Sequence, residues 1–156
     1  MSGIAAGECV EAVDGPVPVD GLAGKGMPVL TRLPSGSRGF RIISKVAASA
    51  TPVPVVRIAL DNGQAAILAR AQGVFRIDLG VVLAAELAPG DVLEPSFHYP
   101  EGYRLRGAAA EEPGGGKRGW RVVSVVSAGE ATVYSGRVNQ TGCAFLSCGI
   151  LCRLDG

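Results

Sequence analysis

The segment WRVVSVVSAGEATVYSGRV, residues 120–138, consists largely of valine, serine and small residues. β-Branched residues favour strands because they pack well on a pleated surface. Both halves of the segment alternate between apolar and other residues, and residues 127–130 between them contain Gly129. The segment therefore predicts two β-strands joined by a turn at residues 127–130.

Short apolar runs of the same kind continue along the rest of the chain, between Gly (23 residues) and Pro (10 residues). They predict an all-β domain of about ten short strands with hairpins. Asn62-Gly63 is a strong signal for a two-residue hairpin turn with both residues at positive φ, and Asp14-Gly15 predicts a second hairpin. One helix candidate, GVVLAAELAPGD at residues 80–91, is stopped by Pro89-Gly90.

The composition limits the classes of partner and the cellular compartment. Hydrophobic residues make up 47% of the 156 residues, and the net charge is +1. Nucleic acids and acidic membranes require a concentrated basic surface, so neither is expected as a partner. No apolar run reaches about 18 residues and the N-terminus lacks a signal-peptide pattern. We therefore expect a location in the cytoplasm or within an assembled particle.

One domain is expected over residues 1–156, with an N-terminal arm at residues 1–8 and a flexible surface excursion at residues 99–119. The excursion contains three consecutive glycines and mixed charges, which are typical of a loop. It does not divide the chain, because the strands after it need partners from before it.

Four stretches, in order, resemble the Hint fold shared by hedgehog autoprocessing domains, inteins and bacterial intein-like domains. They are VEAVDGPVPVDGLAGKGMPVLTR (10–32), VVRIALDNGQAAILARAQGVFRID (55–78), AAELAPGDVL (84–93) and VVSVVSAGEATVYSGRVNQTGCAFLSCGILCRL (122–154). The third resembles the A-x-x-L-x-x-G-D-x-L motif of that family. The resemblance implies a single compact Hint-like β-domain.

The resemblance also implies an acyl-transfer site, and this chain departs from its pattern. In the family a Cys or Ser attacks the preceding peptide carbonyl, assisted by a Thr-x-x-His pair. Ala69 and Gln72 stand at the Thr and His positions. Arg153 and Leu154 stand where inteins have a terminal His-Asn, and Cys143 stands where the family has a further His. The resemblance therefore implies a degenerate, catalytically inactive member.

Ser2 and Cys9 are the two candidate nucleophiles. Counting back from Gly15 by the family's spacing reaches Ser2 or Gly3, whereas Cys9 falls inside the opening strand next to Val10. If these 156 residues are the whole gene product, splicing is expected to have no substrate.

The cysteines Cys143, Cys148 and Cys152 lie within ten residues and contain no C-x-x-C pair. The favoured interpretation is buried reduced thiols in a closing strand beside Val10, with Cys148 and Cys152 on one face and Cys143 on the other. A disulfide, a metal site that includes Cys9 and a catalytic thiol remain alternatives.

The other titratable residues indicate no catalytic site. His98 is the only histidine and is interpreted as a packed surface residue, and Glu111-Glu112 as a solvated charge pair. No cofactor is expected. Three functions stay open: an inactive structural or protein-interaction component of a larger multi-subunit assembly such as a phage-like particle, residual autoprocessing, or cysteine-based metal binding. The arm and the excursion are the segments expected to touch protein partners.

Overall fold

The structure, a computed structural model, describes residues 2–78, 80–96 and 119–154. This part contains thirteen strands: β1 (Ile4–Ala5), β2 (Cys9–Ala12), β3 (Gly15–Pro18), β4 (Met27–Arg32), β5 (Arg38–Ala48), β6 (Val53–Leu60), β7 (Ala65–Ala69), β8 (Gly73–Phe75), β9 (Val81–Leu83), β10 (Val122–Ala131), β11 (Val133–Val138), β12 (Cys143–Phe145) and β13 (Leu151–Arg153). Two short 3₁₀ helices, Val19–Leu22 and Ala84–Glu86, complete the elements. The all-β prediction is confirmed, with more strands than the ten expected.

The strands form two antiparallel sheets that share one core. Nine strands lie in the order β10-β6-β7-β1-β11-β5-β4-β2-β3, and four lie in the order β12-β13-β8-β9. A bridge between Val10 and Leu146 connects the two sheets. The main apolar core draws Val10 and Leu68 from the large sheet and Val74 from the small sheet, and none of these three side chains is exposed.

The N-terminal segment is not the arm predicted for residues 1–8. Ile4–Ala5 forms β1, which pairs with β11 on one side and with β7 on the other. The Ile4 side chain is 1% exposed in the core. A two-residue strand carries too short a pattern to be recognised from sequence, and its stability comes from these two neighbours.

The turn predicted at residues 127–130 is wrong. β10 continues through these residues to Ala131, and its pairing with β6 shifts register between Ser127 and Glu130. Gly129 adopts a φ of 80° within this irregularity. The glycine therefore supports a β-bulge, in which an extra residue is accommodated without ending the strand.

Both predicted hairpins exist, but the Asn62-Gly63 turn differs from the predicted type. Gly63 has a φ of 81°, and Asn62 is not among the residues with positive φ. The Gly63 amide donates to the Leu60 carbonyl, and the Leu60 amide donates to the Gln64 carbonyl. This is a three-residue loop with glycine at its left-handed position. The β2–β3 hairpin pairs Ala12 with Gly15.

Replacement of Gly63 by Val is expected to destabilise the fold by about 1 kcal/mol or more, because an L-residue is strained at this φ. No atom lies within 4 Å of the position that a Cβ would occupy, so backbone strain alone sets the cost. Urea unfolding measures it. Gly21→Val is the control, since Gly21 has equal space and no positive φ. An equal effect of the two substitutions would contradict the assigned turn.

The helix candidate at residues 80–91 does not form an α-helix, because β9 and the 3₁₀ helix Ala84–Glu86 occupy part of this segment. The described residues contain no helix long and apolar enough to cross a membrane. His98, Glu111 and Glu112, together with nearly all of the predicted excursion, lie outside the described residues.

The closing segment is a hairpin and not the single strand predicted. β12 and β13 pair, with Phe145 opposite Leu151, and the Leu146 amide donates to the Ile150 carbonyl across the turn. The hairpin lies beside the strand that holds Val10, as predicted. Asn62 Nδ2 donates to the Cys148 carbonyl at 2.9 Å and connects the hairpin to the β6–β7 loop.

Candidate functional site

The turn between β7 and β8 holds the two positions where the resemblance places Thr and His. Ala69 ends β7, and the backbone amide of Gln72 donates to the Ala69 carbonyl at 3.0 Å. Neither Ala69 nor Gln72 is exposed, whereas Arg70 and Ala71 between them are. Both positions therefore face the interior, as a pair of catalytic side chains would.

The N-terminal segment lies directly beside this turn. The Ala69 amide donates to the Gly3 carbonyl at 3.0 Å. A Cβ on Gly3 would lie 2.7 Å or less from Val133, so only glycine fits here. The structure thus brings Ser2, which is exposed, next to Ala69.

Cys9, the other candidate nucleophile, belongs to a different part of the sheet. It pairs with Pro18, and its carbonyl accepts from the Ser147 amide at 2.9 Å. Its backbone contacts are therefore with β3 and the closing turn, and not with the β7–β8 turn.

The Gln72 side chain joins the β7–β8 turn to the closing strand. Its Nε2 donates to the Gly73 carbonyl at 2.9 Å and to the Arg153 carbonyl at 2.7 Å. Its Oε1 is buried and has no hydrogen-bond partner among the described residues. A neutral amide does not exchange a proton near pH 7, so Gln72 holds β13 in place without offering acid or base chemistry.

The other positions that the resemblance singles out, Cys143, Arg153 and Leu154, lie around the end of β13. Arg153 pairs with Cys143, and the Leu154 amide donates to the Gly142 carbonyl at 2.7 Å. Thr31 Oγ1 lies 2.7 Å from the Cys143 carbonyl oxygen and 3.3 Å from the Cys143 Sγ. The structure therefore gathers the positions of Gln72, Cys143, Arg153 and Leu154 at one end of the small sheet.

All four cysteines are free thiols. Cys148 and Cys152 pack in the main core, whereas Cys143 packs in a separate cluster with Leu30, Phe145 and Leu151. This agrees with the predicted division between two faces. Among the described residues, no three His, Cys, Asp or Glu side chains are placed to hold a metal ion.

In the native chain we expect only Cys9 to react quickly with a thiol reagent at pH 8. Cys9 is partly exposed and the other three thiols are buried. Burial raises the pKa of Cys148 to about 11 and the pKa of Cys152 well above its ordinary value. Dithionitrobenzoate titration without reductant should give one fast thiol natively and four in denaturant. Cys9→Ser should remove the fast reaction, and fewer than four thiols in denaturant would indicate a cross-link.

The same burial predicts that stability falls as the pH rises from about 9 towards 11. The thiols ionise near pH 9 in the unfolded chain, whereas the raised pKa keeps Cys148 neutral to about pH 11 in the fold. The unfolded state therefore loses its protons first, at a limiting slope of about 1.4 kcal/mol per pH unit for each thiol. Urea unfolding at pH 8 and pH 10 measures the decline. A Cys148→Ala variant that declines as steeply would contradict this origin.

A buried ionic cluster near the site was not anticipated from the sequence. Glu94 is 3% exposed, and its Oε1 lies 3.0 Å from Arg38 Nη2 and 3.6 Å from Arg32 Nη1. Arg38 Nη2 also donates to the Pro95 carbonyl at 2.6 Å. Glu94 is separated from both arginines by 56 or more positions in the sequence, so no local pattern could have indicated the cluster.

Comparison with solved structures gives the fold. An intein-like domain from Clostridium thermocellum superposes with a TM-score of 0.77 at 15% identity, covering 98% of this chain and 99% of that one. A DnaB intein from Synechocystis sp. PCC 6803 gives 0.76 at 12% identity, with the same coverage of 98% and 99%. The gp41-1 intein gives 0.65 at 12% identity, covering 98% of each chain.

No protein-family model matches the chain, and no curated protein matches its sequence. The structural matches cover almost the full length of both chains at low identity. The chain therefore has the Hint, or intein-like, fold that the four sequence stretches predicted.

Proposed function

We propose that this chain is a Hint-fold domain that carries out no self-processing and serves as a structural or protein-interaction component of a larger assembly. The observation that carries the proposal is the state of Gln72. The two hydrogens on its side-chain nitrogen Nε2 are donated to the Gly73 and Arg153 carbonyls. Gln72, at the position where the family has its His, therefore binds the backbone of the closing strand and does not contact a scissile peptide bond.

The neighbouring positions support the same conclusion. Ala69 has no polar side-chain atom to hold a peptide bond. Leu154 has no amide that could cyclise. Among Ala69, Gln72 and Leu154, no side chain exchanges a proton near pH 7. General acid–base assistance of an acyl shift would then have to come from another part of the chain.

Exposed apolar side chains support a role in protein contacts. In the part of the chain that the structure describes, eight large hydrophobic side chains are between 40% and 54% exposed: Val13, Phe40, Ile42, Ile77, Val81, Leu83, Val123 and Val126. Isolated exposed apolar residues are ordinary, but Val13, Phe40 and Ile42 line one pocket. An interaction component uses a surface of this kind.

Residual autoprocessing is the second candidate, and Ser2 is the residue that favours it. Ser2 adjoins Gly3, whose carbonyl accepts from the Ala69 amide, so a hydroxyl stands near the position that the family uses. Its acyl shift would move the upstream acyl group from the Ser2 nitrogen to the Ser2 Oγ and leave an ester. Hydroxylamine would cleave that ester and release the upstream segment as a hydroxamate.

A reporter domain fused ahead of Ser2 tests the two candidates. We expect the intact mass to remain that of the full fusion after incubation with hydroxylamine or dithiothreitol at pH 7. Ser2→Ala and Cys9→Ala fusions are the matched controls. Release of the reporter from the wild type that is abolished by Ser2→Ala would overturn the proposal and establish an acyl shift at Ser2.

A further inference from the structure

A groove on the outer side of β4 and β5 forms a separate candidate site. Its volume is about 530 Å³, within the range of ligand pockets. Phe40 and Ile42 of β5, with Pro28 of β4, form its apolar surface, and Val13 at the β2–β3 turn adds one wall. We call it the β5 groove.

Two backbone hydrogen bonds lie beside the β5 groove. The Val13 amide donates to the Pro28 carbonyl, and the Asn139 amide donates to the Ile42 carbonyl. An occupant cannot pair with these four backbone groups. Its side chains would contact the apolar surface of the groove.

Of the described residues that line the groove, Arg41 carries a charge. Its Nε donates to Gln140 Oε1 at 2.9 Å, and its Nη1 donates to the Phe40 carbonyl at 2.8 Å. Both acceptors are neutral, and among the described residues no carboxylate forms an ion pair with Arg41. Gln140 accepts this bond with its side chain while its backbone φ is 68°, a conformation that non-glycine residues rarely adopt.

The charge and the apolar surface together define the occupant. A single cation among apolar side chains does not suit a nucleic acid, which needs several basic contacts along its backbone. A carboxylate beside Arg41 would form a charge-assisted hydrogen bond, and an aliphatic or aromatic side chain would cover Phe40 and Ile42. In a peptide, these two groups would be close neighbours in sequence.

We propose that the β5 groove binds a peptide segment of a partner protein that carries an Asp or Glu within two residues of a large apolar side chain. This inference rests on the proposed role as an interaction component. Cleavage of the reporter fusion would overturn that role, whereas the binding measurement below tests the groove by a separate readout.

The probe is a displayed library of random heptapeptides, selected on the immobilised full chain. Enriched peptides are then synthesised with a fluorescent label and titrated by anisotropy. We expect them to contain an acidic residue next to an apolar one. Ile42→Ser and Arg41→Gln should each weaken binding by about tenfold or more, since each removes one of the two recognised features.

Matched controls separate the groove from general surface effects. Val126→Ser changes a valine on β10 that is 50% exposed, against 42% for Ile42, and Arg57→Gln changes an exposed arginine on β6. Both should bind within about twofold of the wild type. Replacing the acid of the peptide by its amide should weaken binding to the wild type and have no further effect on Arg41→Gln.

Three results would overturn the proposal. In the first, no peptide is enriched above the blank. In the second, the enriched peptides bind Ile42→Ser as tightly as the wild type. In the third, replacing the acidic residue of the peptide does not weaken its binding. Light scattering provides a fourth. A wild-type dimer that Ile42→Ser converts to a monomer would show that a second copy of the chain occupies the groove.

Discussion

A chain cut after Gly142 is expected not to fold. The cut removes β12 and β13 and leaves β8 paired only with β9. Phe145, Ile150 and Leu151, none of them exposed, leave the core with these strands. Burying each such side chain contributes about 1.5–3 kcal/mol, against a total stability of about 5–15 kcal/mol for a typical domain. Circular dichroism and dye binding should report a molten or aggregated chain.

Replacement of Cys143, Cys148 and Cys152 together by Ala is the matched control for the truncation. It keeps both strands and removes only the thiols, so the variant should lose packing energy and still unfold cooperatively. A triple variant as disordered as the truncated chain would contradict the free-thiol assignment. So would loss of structure in the wild type on addition of a chelator or a reductant, because the thiols would then be a metal site or a cross-link.

Replacement of Glu94 by Gln is expected to destabilise the fold by about 3 kcal/mol, because it removes the carboxylate that faces two poorly exposed arginines. The side chains of Arg38 and Glu94 are only 10% and 4% exposed, so solvent cannot replace the lost carboxylate. Arg38 lies 5.3 Å from the centroid of the Phe145 ring, so the loss should extend into the closing hairpin. Urea unfolding measures the change.

The ion pair between Arg76 and Asp78 supplies the matched control for Glu94. Its side chains are 40% and 62% exposed, and its shortest distance is 3.7 Å. Asp78→Asn should therefore change stability by less than about 1 kcal/mol. Equal effects of Glu94→Gln and Asp78→Asn would contradict a structural role for the buried cluster.

The sequence predicted those features of the fold that local patterns carry. Alternation and turn residues were enough for the all-β class and for the hairpins at Gly15 and Gly63. The bulge at Gly129 was mistaken for a turn because glycine at positive φ serves both. β1 was missed because Ile4–Ala5 is a strand only through its two neighbours, whose paired residues are 64 or more positions away in the sequence.

For the candidate site, too, local motifs indicated some features, whereas others depend on residues that are distant in the sequence. The resemblance assigned Ala69 and Gln72 to the Thr and His positions, and the structure has both at the turn between β7 and β8. It could not indicate that Gln72 bonds to the Arg153 carbonyl, 81 positions later. The Arg41–Gln140 contact of the β5 groove, 99 positions apart, has no local signal either. Long-range pairings of this kind depend on the tertiary fold, which short motifs do not encode.

The intact mass of the chain placed between two reporter domains tests the absence of self-processing most directly. One reporter precedes Ser2 and the other follows Gly156, and the mass is followed for a day at pH 7 and pH 9. Because Gln72 is engaged with the Arg153 carbonyl and Leu154 cannot cyclise, we predict one species at the mass of the full fusion at every time. Release of either reporter, or a product in which the two reporters are joined, would contradict the account.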